Sequence, residues 1–246
     1  MKNFIKSVFK DIIFVFKFKK KKKKEIFYKK FINHGDLVFD VGANIGNRVI
    51  TFLELKADVL AVEPNIDCIK ILKKKFGNKI KYENVGLAAQ KGELDFHISN
   101  VNTLSTFSEK FIKSTTESGR FSGYTWEKVL KIELKTLDCL IEKYGTPKFV
   151  KIDTEGFDEQ VIKGLSKKVS FISFEYVIPE LKEELLRTIE HVIKLGDIDI
   201  NVSIGESMEL HLDEWISGNA FYESIKNESG LYKDMQDFGD VYIAMK

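Results

Sequence analysis

Cysteine is scarce in this 246-residue chain: Cys68 and Cys139 stand far apart and form no C-x-x-C pair. That argues against a disulfide framework and a thiolate zinc site, and we expect two reduced, buried thiols in a cytoplasmic protein. Histidine is equally sparse, with four residues and none in H-E-x-x-H spacing,. No stretch reaches the ~20 consecutive apolar residues that a transmembrane helix needs. A secretory signal is not expected either, because Lys10 and Asp11 interrupt the first apolar stretch and no small-residue cleavage site follows,. The balance, 43% hydrophobic and 31% charged, suits a soluble chain with one sizeable core,.

Net charge is only +2, but it is unevenly spread. Residues 1–24 hold ten lysines against the single acid Asp11, a net +9, so the rest of the chain carries −7. An acidic body is not expected to present the basic cleft that nucleic acid requires. Within the arm, Phe4, Ile5, Val8, Phe9, Ile12, Ile13 and Phe16 recur at helical spacing, and Lys19–Lys24 run unbroken. Residues 1–34 are therefore expected to form a basic amphipathic helical extension. Its apolar face could lie in a membrane interface, each lysine near an anionic surface adding roughly 1 kcal/mol. Alternatively the face packs on the body and the lysines are simply solvated.

From residue 37 the hydrophobic pattern alternates between strand and helix, the signature of a doubly wound α/β fold. It predicts a mostly parallel, seven-stranded sheet with strands at 37–41, 58–62, 80–84, 148–152, 169–175, 198–204 and 240–245. Helices are predicted over 45–56, 66–76, 136–144, 157–164 and 180–195, with Pro179 starting the last. Residues 93–98 and 129–135 read as two further short strands. Between them lies the polar segment 99–128, rich in Ser, Thr, Asn and Gly. Insertions of that length are usually functional, and its place after the third strand suits a substrate lid.

The first strand runs into Asp40-x-Gly42-x-Asn44-x-Gly46, and the second ends on Glu63, 17 residues beyond Gly46. In an open parallel sheet these elements converge on one crevice, where a strand-end acid can accept hydrogen bonds from two ribose hydroxyls. A dinucleotide site would read G-x-G-x-x-G and offer bare backbone to a pyrophosphate. Here Asn44 replaces a glycine, and Asp40 suits an amine-bearing or cationic ligand better than a phosphate. S-adenosylmethionine, with a sulfonium, an α-amino group, a ribose and no phosphate, fits those residues. The competing readings are a nicotinamide-dependent oxidoreductase and a non-catalytic partner protein retaining the fold.

On this view Gly42 and Gly46 allow close approach, Asp40 orients loop amides or the amino group, and Asn44 offers a donor and an acceptor. Asn84, Val85 and Leu87 follow the third strand, where adenine would lie, although Asn84 is equally a turn residue. The fourth strand delivers Asp153 and Glu155, and the fifth delivers Glu175. One of the first two could accept the proton of an acceptor hydroxyl, Glu155 otherwise serving as helix-terminal charge. A Mg²⁺ held by Asp153 and Glu175 is the alternative, less favoured because no further acid completes a ligand set. Lys151, His97 and His211 are reserve bases.

Taken in order, Asp40–Gly46, Glu63–Asn65, Asn84–Gly92, Ser105–Phe107, Lys151–Asp158 and Ser173–Tyr176 resemble the FkbM family of S-adenosylmethionine-dependent methyltransferases. The resemblance covers about residues 35–180, and Lys151–Gly156 is its more specific block. The family usually carries an acid near Gln90, so no role tied to that acid is transferred. The resemblance implies a Rossmann-like methyltransferase domain over 35–246 with its seventh strand antiparallel at the sheet edge. It also implies O-methylation of a hydroxyl on a sugar, a cell-surface glycan precursor or a secondary metabolite. A membrane-tethered glycan acceptor would suit the basic arm, placing the enzyme in the cytoplasm at the inner membrane face.

Overall fold

The computed structural model describes residues 21–235 and 237–246. Most of the expected amphipathic arm, residues 1–20, lies outside them. In chain order the described elements are α1 (residues 21–28), β1 (Leu37–Val41), α2 (Asn47–Glu54), β2 (Asp58–Val62), α3 (Ile66–Phe76) and β3 (Lys81–Glu83). Then come β4 (Gly86–Leu87), β5 (Gly92–Ile98), α4 (Glu109–Glu117), β6 (Lys128–Lys135), α5 (Leu137–Tyr144), β7 (Phe149–Ile152) and α6 (Asp158–Lys163). The remainder is β8 (Phe171–Ile178), α7 (Lys182–Leu195), β9 (Ile198–Ile204), β10 (Ile216–Ser217), α8 (Gly218–Lys226) and β11 (Asp237–Met245).

The main sheet has the order β10-β9-β11-β8-β7-β1-β2-β3. Its centre is parallel: β1 pairs with both β2 and β7, and β7 pairs with β8. These strands read LVFDV, DVLAV and FVKI because both of their faces are covered,. One face packs on α5–α8 through residues such as Val150, Ile172, Ile189 and Phe221. The other packs on α1–α3 through Val38, Phe52, Leu72 and Phe149. Helix starts have local causes. Asn65 caps α3 by accepting from Asp67 N, and Thr136 caps α5 by accepting from Cys139 N,.

Several expectations are revised. β11 is antiparallel, but it lies between β8 and β9 and not at the edge. Val241, Tyr242 and Ile243 are all fully buried, which an edge position could not provide. The edge is taken by two-residue β10, making eight strands, seven of which were predicted. The two further strands pair with one another as β5 and β6 in a separate sheet with β4. α7 starts at Lys182, after a turn in which Lys182 N donates to Pro179 O, and not at Pro179. Cys68 is buried as expected, whereas Cys139 is half-buried.

The end of the basic extension joins the body. Phe27, Tyr28, Phe31 and Ile32 are buried. Phe31 stacks on Tyr242 and Phe149, and Tyr28 meets Phe52 edge-on. Among the described residues no helix is long and apolar enough to cross a membrane.

Candidate active site

The C-terminal tips of β1, β2 and β7, with Glu175 from within β8, open onto one cavity of about 380 Å³, a size suited to a nucleoside and a small acceptor,. β8 runs on to Ile178 and does not end at residue 175. Backbone bonds knit the tips together beyond the ladders. Gly42 N donates to Val62 O, Glu63 N to Glu83 O, and Asp153 N to Val41 O. Asp40, Gly42, Asn44, Glu63, Val85, Leu87, Asp153, Glu155 and Glu175 all line the cavity. Gly46 and Asn84 do not. The Asn84 amide instead donates to Glu63 O and Pro64 O at 2.9 Å each, holding the β2 exit turn.

Both glycines have structural work distinct from ligand approach. Gly42 has φ +78, and a Cβ there would sit 1.9 Å from Asp153 O, so the β1 and β7 tips could not meet,. Gly46 has φ +83, and a Cβ there would strike Phe76 and Leu72 of α3. The loop between them is shaped by Glu63. Its carboxylate is buried and accepts from Asn44 N and Asn65 N, each at 2.8 Å. Burial pushes its pKa up to about 7, against the pull of those two amides and with help from Asp40,. Each carboxylate oxygen retains a lone pair, so Glu63 can fix the loop and still accept from a diol.

Asp40 is 2% exposed, and its Oδ2 has no hydrogen-bond partner among the described residues. Burial raises its pKa to about 6, Lys151 and Arg48 opposing and Asp153 reinforcing the shift. A buried, orphaned carboxylate oxygen lining a cavity is costly unless a ligand donor completes it. An ammonium group is such a donor. With Glu63 for a ribose and Val85, Leu87 and Phe107 as an apolar wall, the residues present fit S-adenosylmethionine.

On the same cavity wall, Asp153, Glu155 and Glu175 each bring one oxygen within 4.8 Å of the others. That supplies the third acid that sequence spacing alone did not assemble, a set that could hold a divalent cation. Lys151, 1% exposed, donates to Asp153 Oδ2 at 2.6 Å. Burial disfavours its ammonium, but Asp153 and Asp240 outweigh that and hold its pKa above the ordinary lysine value. Lys151 therefore keeps its proton and is no base. His97 lies in a separate hollow with Glu93, Asp95 and Glu109, and His211 bonds Asp234, so neither reserve histidine reaches the cavity.

The Glu155 carboxylate caps no amide among the described residues. α6 begins at Asp158, which itself accepts from Thr154 N, so the helix-terminal role does not hold. Glu155 occupies left-handed backbone, φ +52, a strained choice for a side chain of its length,. Its carbonyl is held by Thr106 Oγ1 at 2.7 Å, which ties the 99–128 segment to the turn that follows β7. Burial, then Asp153 and Asp158, raise the Glu155 pKa well above the carboxylate range. Burial, then Glu155 and Asp153, do the same to Glu175. The polar segment also gives the cavity Asn102, Thr103, Ser105 and Phe107.

Residues 40–198 match the Methyltransferase FkbM domain, well over half of the chain. This chain belongs to the FkbM methyltransferase family. A hexuronic acid methyltransferase, AglP of Haloferax volcanii, is 28% identical over 152 residues, 58% of this chain and 55% of its own length. The chain thus spans about half the length of that curated relative. Among solved structures, a precorrin-6y C5,15-methyltransferase from Geobacter metallireducens aligns over 91% of this chain and 87% of its own, at TM-score 0.45 and 11% identity. Aeropyrum pernix fibrillarin, in complex with natively bound S-adenosyl-L-methionine, aligns over 86% and 67% at TM-score 0.45 and 9% identity.

Lys24, Asn47, Arg48 and Glu206 line the cavity as well, and sequence reading assigned none of them. Arg48 follows directly on the glycine loop and was within reach of such reasoning. Lys24 is one of six consecutive lysines, and nothing in that run distinguishes it.

Proposed function

We propose that this FkbM-family chain is an S-adenosylmethionine-dependent O-methyltransferase acting on a hydroxyl of a sugar or glycan precursor. The observation that carries the reading is a single cavity that brings together two chemically different groups of acids. Glu63 and Asp40 suit a ribose and an ammonium, and three crowded carboxylates share the cavity with them. Bound there, S-adenosylmethionine supplies an electrophilic methyl group.

The protein's own residues do the rest. Lys151 fixes Asp153, which orients the acceptor hydroxyl. Glu155, with no donor of its own among the described residues and a raised pKa, takes that hydroxyl's proton as the oxygen gains the methyl. A positioned base of this kind contributes roughly 10²–10⁴ in rate, and alignment of the reactants up to about 7–11 kcal/mol. Asn102, Thr103 and Ser105 offer hydrogen bonds to a polyol, with segment 99–128 as the lid. The sugar acceptor is supported by the hexuronic acid methyltransferase relative.

Incubation with labelled S-adenosylmethionine and hexuronic acid or neutral hexose glycosides should transfer label to an oxygen. No binding of S-adenosylhomocysteine by calorimetry would end the reading. The carboxylate trio favours a second version, in which Asp153, Glu155 and Glu175 hold a divalent cation that supplies Lewis acidity to the hydroxyl,. Activity lost on chelation and restored by Mg²⁺ selects that version; indifference to chelator rejects it.

The basic arm supports work in the cytoplasm beside an anionic membrane. Sedimentation with anionic vesicles at low salt should depend on residues 1–20.

A further inference from the structure

Of the block Ser105–Phe107, Ser105 and Phe107 line the cavity and Thr106 does not. In extended backbone alternate side chains face opposite ways, so Thr106 turns off the cavity wall. Two backbone bonds set that phase. Thr106 N donates to His97 O at 3.0 Å and His97 N to Thr106 O at 2.8 Å, pinning the segment to β5.

The Thr106 side chain is buried between two loops. Its Oγ1 accepts from Ser108 N at 2.9 Å and donates to Glu155 O at 2.7 Å, with Thr154 O at 3.4 Å. A hydroxyl has one hydrogen to give, and with the Ser108 amide on a lone pair that hydrogen is aimed at the turn after β7.

That turn needs holding. Glu155, φ +52, and Gly156, φ +79, are both left-handed. Glycine adopts this backbone freely, whereas a glutamate stays in it only where its surroundings fix it. Residues 106–111 supply those surroundings. Thr106 holds the Glu155 carbonyl, and the Phe107 and Phe157 rings meet at 5.3 Å. Phe111 packs so closely on Gly156 that a Cβ there would lie 2.8 Å from it. The clamped turn carries the Glu155 carboxylate to within 4.8 Å of Asp153 and Glu175.

We propose that Thr106 is a positioning residue, whose hydroxyl locks the left-handed backbone at Glu155 and so holds that carboxylate at the acceptor. This rests on Glu155 serving as the base, as proposed above, and extends that role to the lid. The segment that offers Ser105 and Phe107 to the acceptor holds the base from behind, so seating the lid and placing the base are one event.

Thr106→Val keeps the shape and loses the hydroxyl. In the full chain, kcat for label transfer from S-adenosylmethionine to hexuronic acid or neutral hexose glycosides should fall about 10–100-fold. S-adenosylhomocysteine affinity by calorimetry should stay within about twofold. In crystals of the variant, Glu155 should leave positive φ and its carboxylate should withdraw from Asp153 and Glu175, a readout that needs no acceptor. Thr106→Ser should restore turnover and Thr106→Ala should not. Should the valine variant fail to fold, the serine and alanine variants decide, since they differ by the hydroxyl alone. In a Glu155→Gln background Thr106→Val should cost no further turnover, as expected of a residue that acts through another. A serine variant as slow as the alanine one, a full further loss on Glu155→Gln, or a Thr106→Val crystal with Glu155 unmoved overturns the proposal. Wild-type turnover in Glu155→Gln alone would instead remove the base, and the Thr106→Val crystal would still decide whether Thr106 positions Glu155.

Discussion

Two groups of buried acids divide this molecule. On the rim, Glu83 accepts from Lys143, Tyr144 and Lys135 at 2.6, 2.7 and 3.1 Å, and Glu159 accepts from Arg187 and pairs with Lys163. Burial works against both, but these donors win and hold both pKa values below the ordinary carboxylate range. At the cavity, Glu155 and Glu175 have no such donors among the described residues, Asp40 has an orphaned oxygen, and all three pKa values are raised. Rim acids are finished by the fold. Of the cavity acids, Glu63 and Asp153 have protein donors. Glu155, Glu175 and the Asp40 Oδ2 are left for something the fold does not supply, and a residue type alone does not tell the two kinds apart.

The comparison breaks most visibly if the two groups respond alike to substitution. Glu155→Gln should lower turnover about 10²–10⁴-fold while S-adenosylhomocysteine affinity and melting temperature stay close to wild type. Glu83→Ala should do the reverse. Removing a buried acceptor that serves three donors, two of them lysines with access to water, should cost about 1–3 kcal/mol of stability. Turnover per folded molecule should not change. Chemical denaturation and steady-state rates on the same preparations check both. A Glu83 variant that folds normally but is inactive would erase the distinction.

The fold was legible because central parallel strands must be apolar on both faces, so LVFDV, DVLAV and FVKI stand out from their surroundings,. The cofactor end was legible for a related reason. Asp40, Glu63 and the turn between them occupy fixed places at strand ends. The place of β11 was not legible, since an apolar strand announces burial but not its neighbours. The meeting of Asp153, Glu155 and Glu175 at one crevice was legible from their strands. That Glu155 completes a trio close enough to hold a cation was not, because it depends on β7 and β8 pairing and on the left-handed backbone at Glu155. Lys24 was hidden by its own surroundings. The helical phase that aims it inward is set by Phe27, Tyr28 and Phe31, and becomes visible only once those rings are placed.

The opposite signs of the pKa shifts give a smaller test. A carboxyl whose folded pKa is raised binds its proton more tightly in the native state, so its contribution to stability is greatest in acid and is lost as pH rises through the folded pKa. Asp40 at about 6, with Glu63 and Asp158 at about 7, places that loss near neutrality. Glu83 and Glu159, with lowered values, contribute fully above the ordinary carboxylate range and lose it only as pH falls through their folded values. The ligand-free protein should therefore melt lower at about pH 8 than at about pH 6. Glu175→Gln, which removes one of the mutually repelling charges, should raise stability by about 1 kcal/mol at about pH 8 and leave it unchanged at about pH 5. Calorimetric melts of the two proteins across that range measure it. A Glu175→Gln protein less stable than wild type at high pH would mean that the Glu175 carboxylate has a donor after all and belongs with the rim.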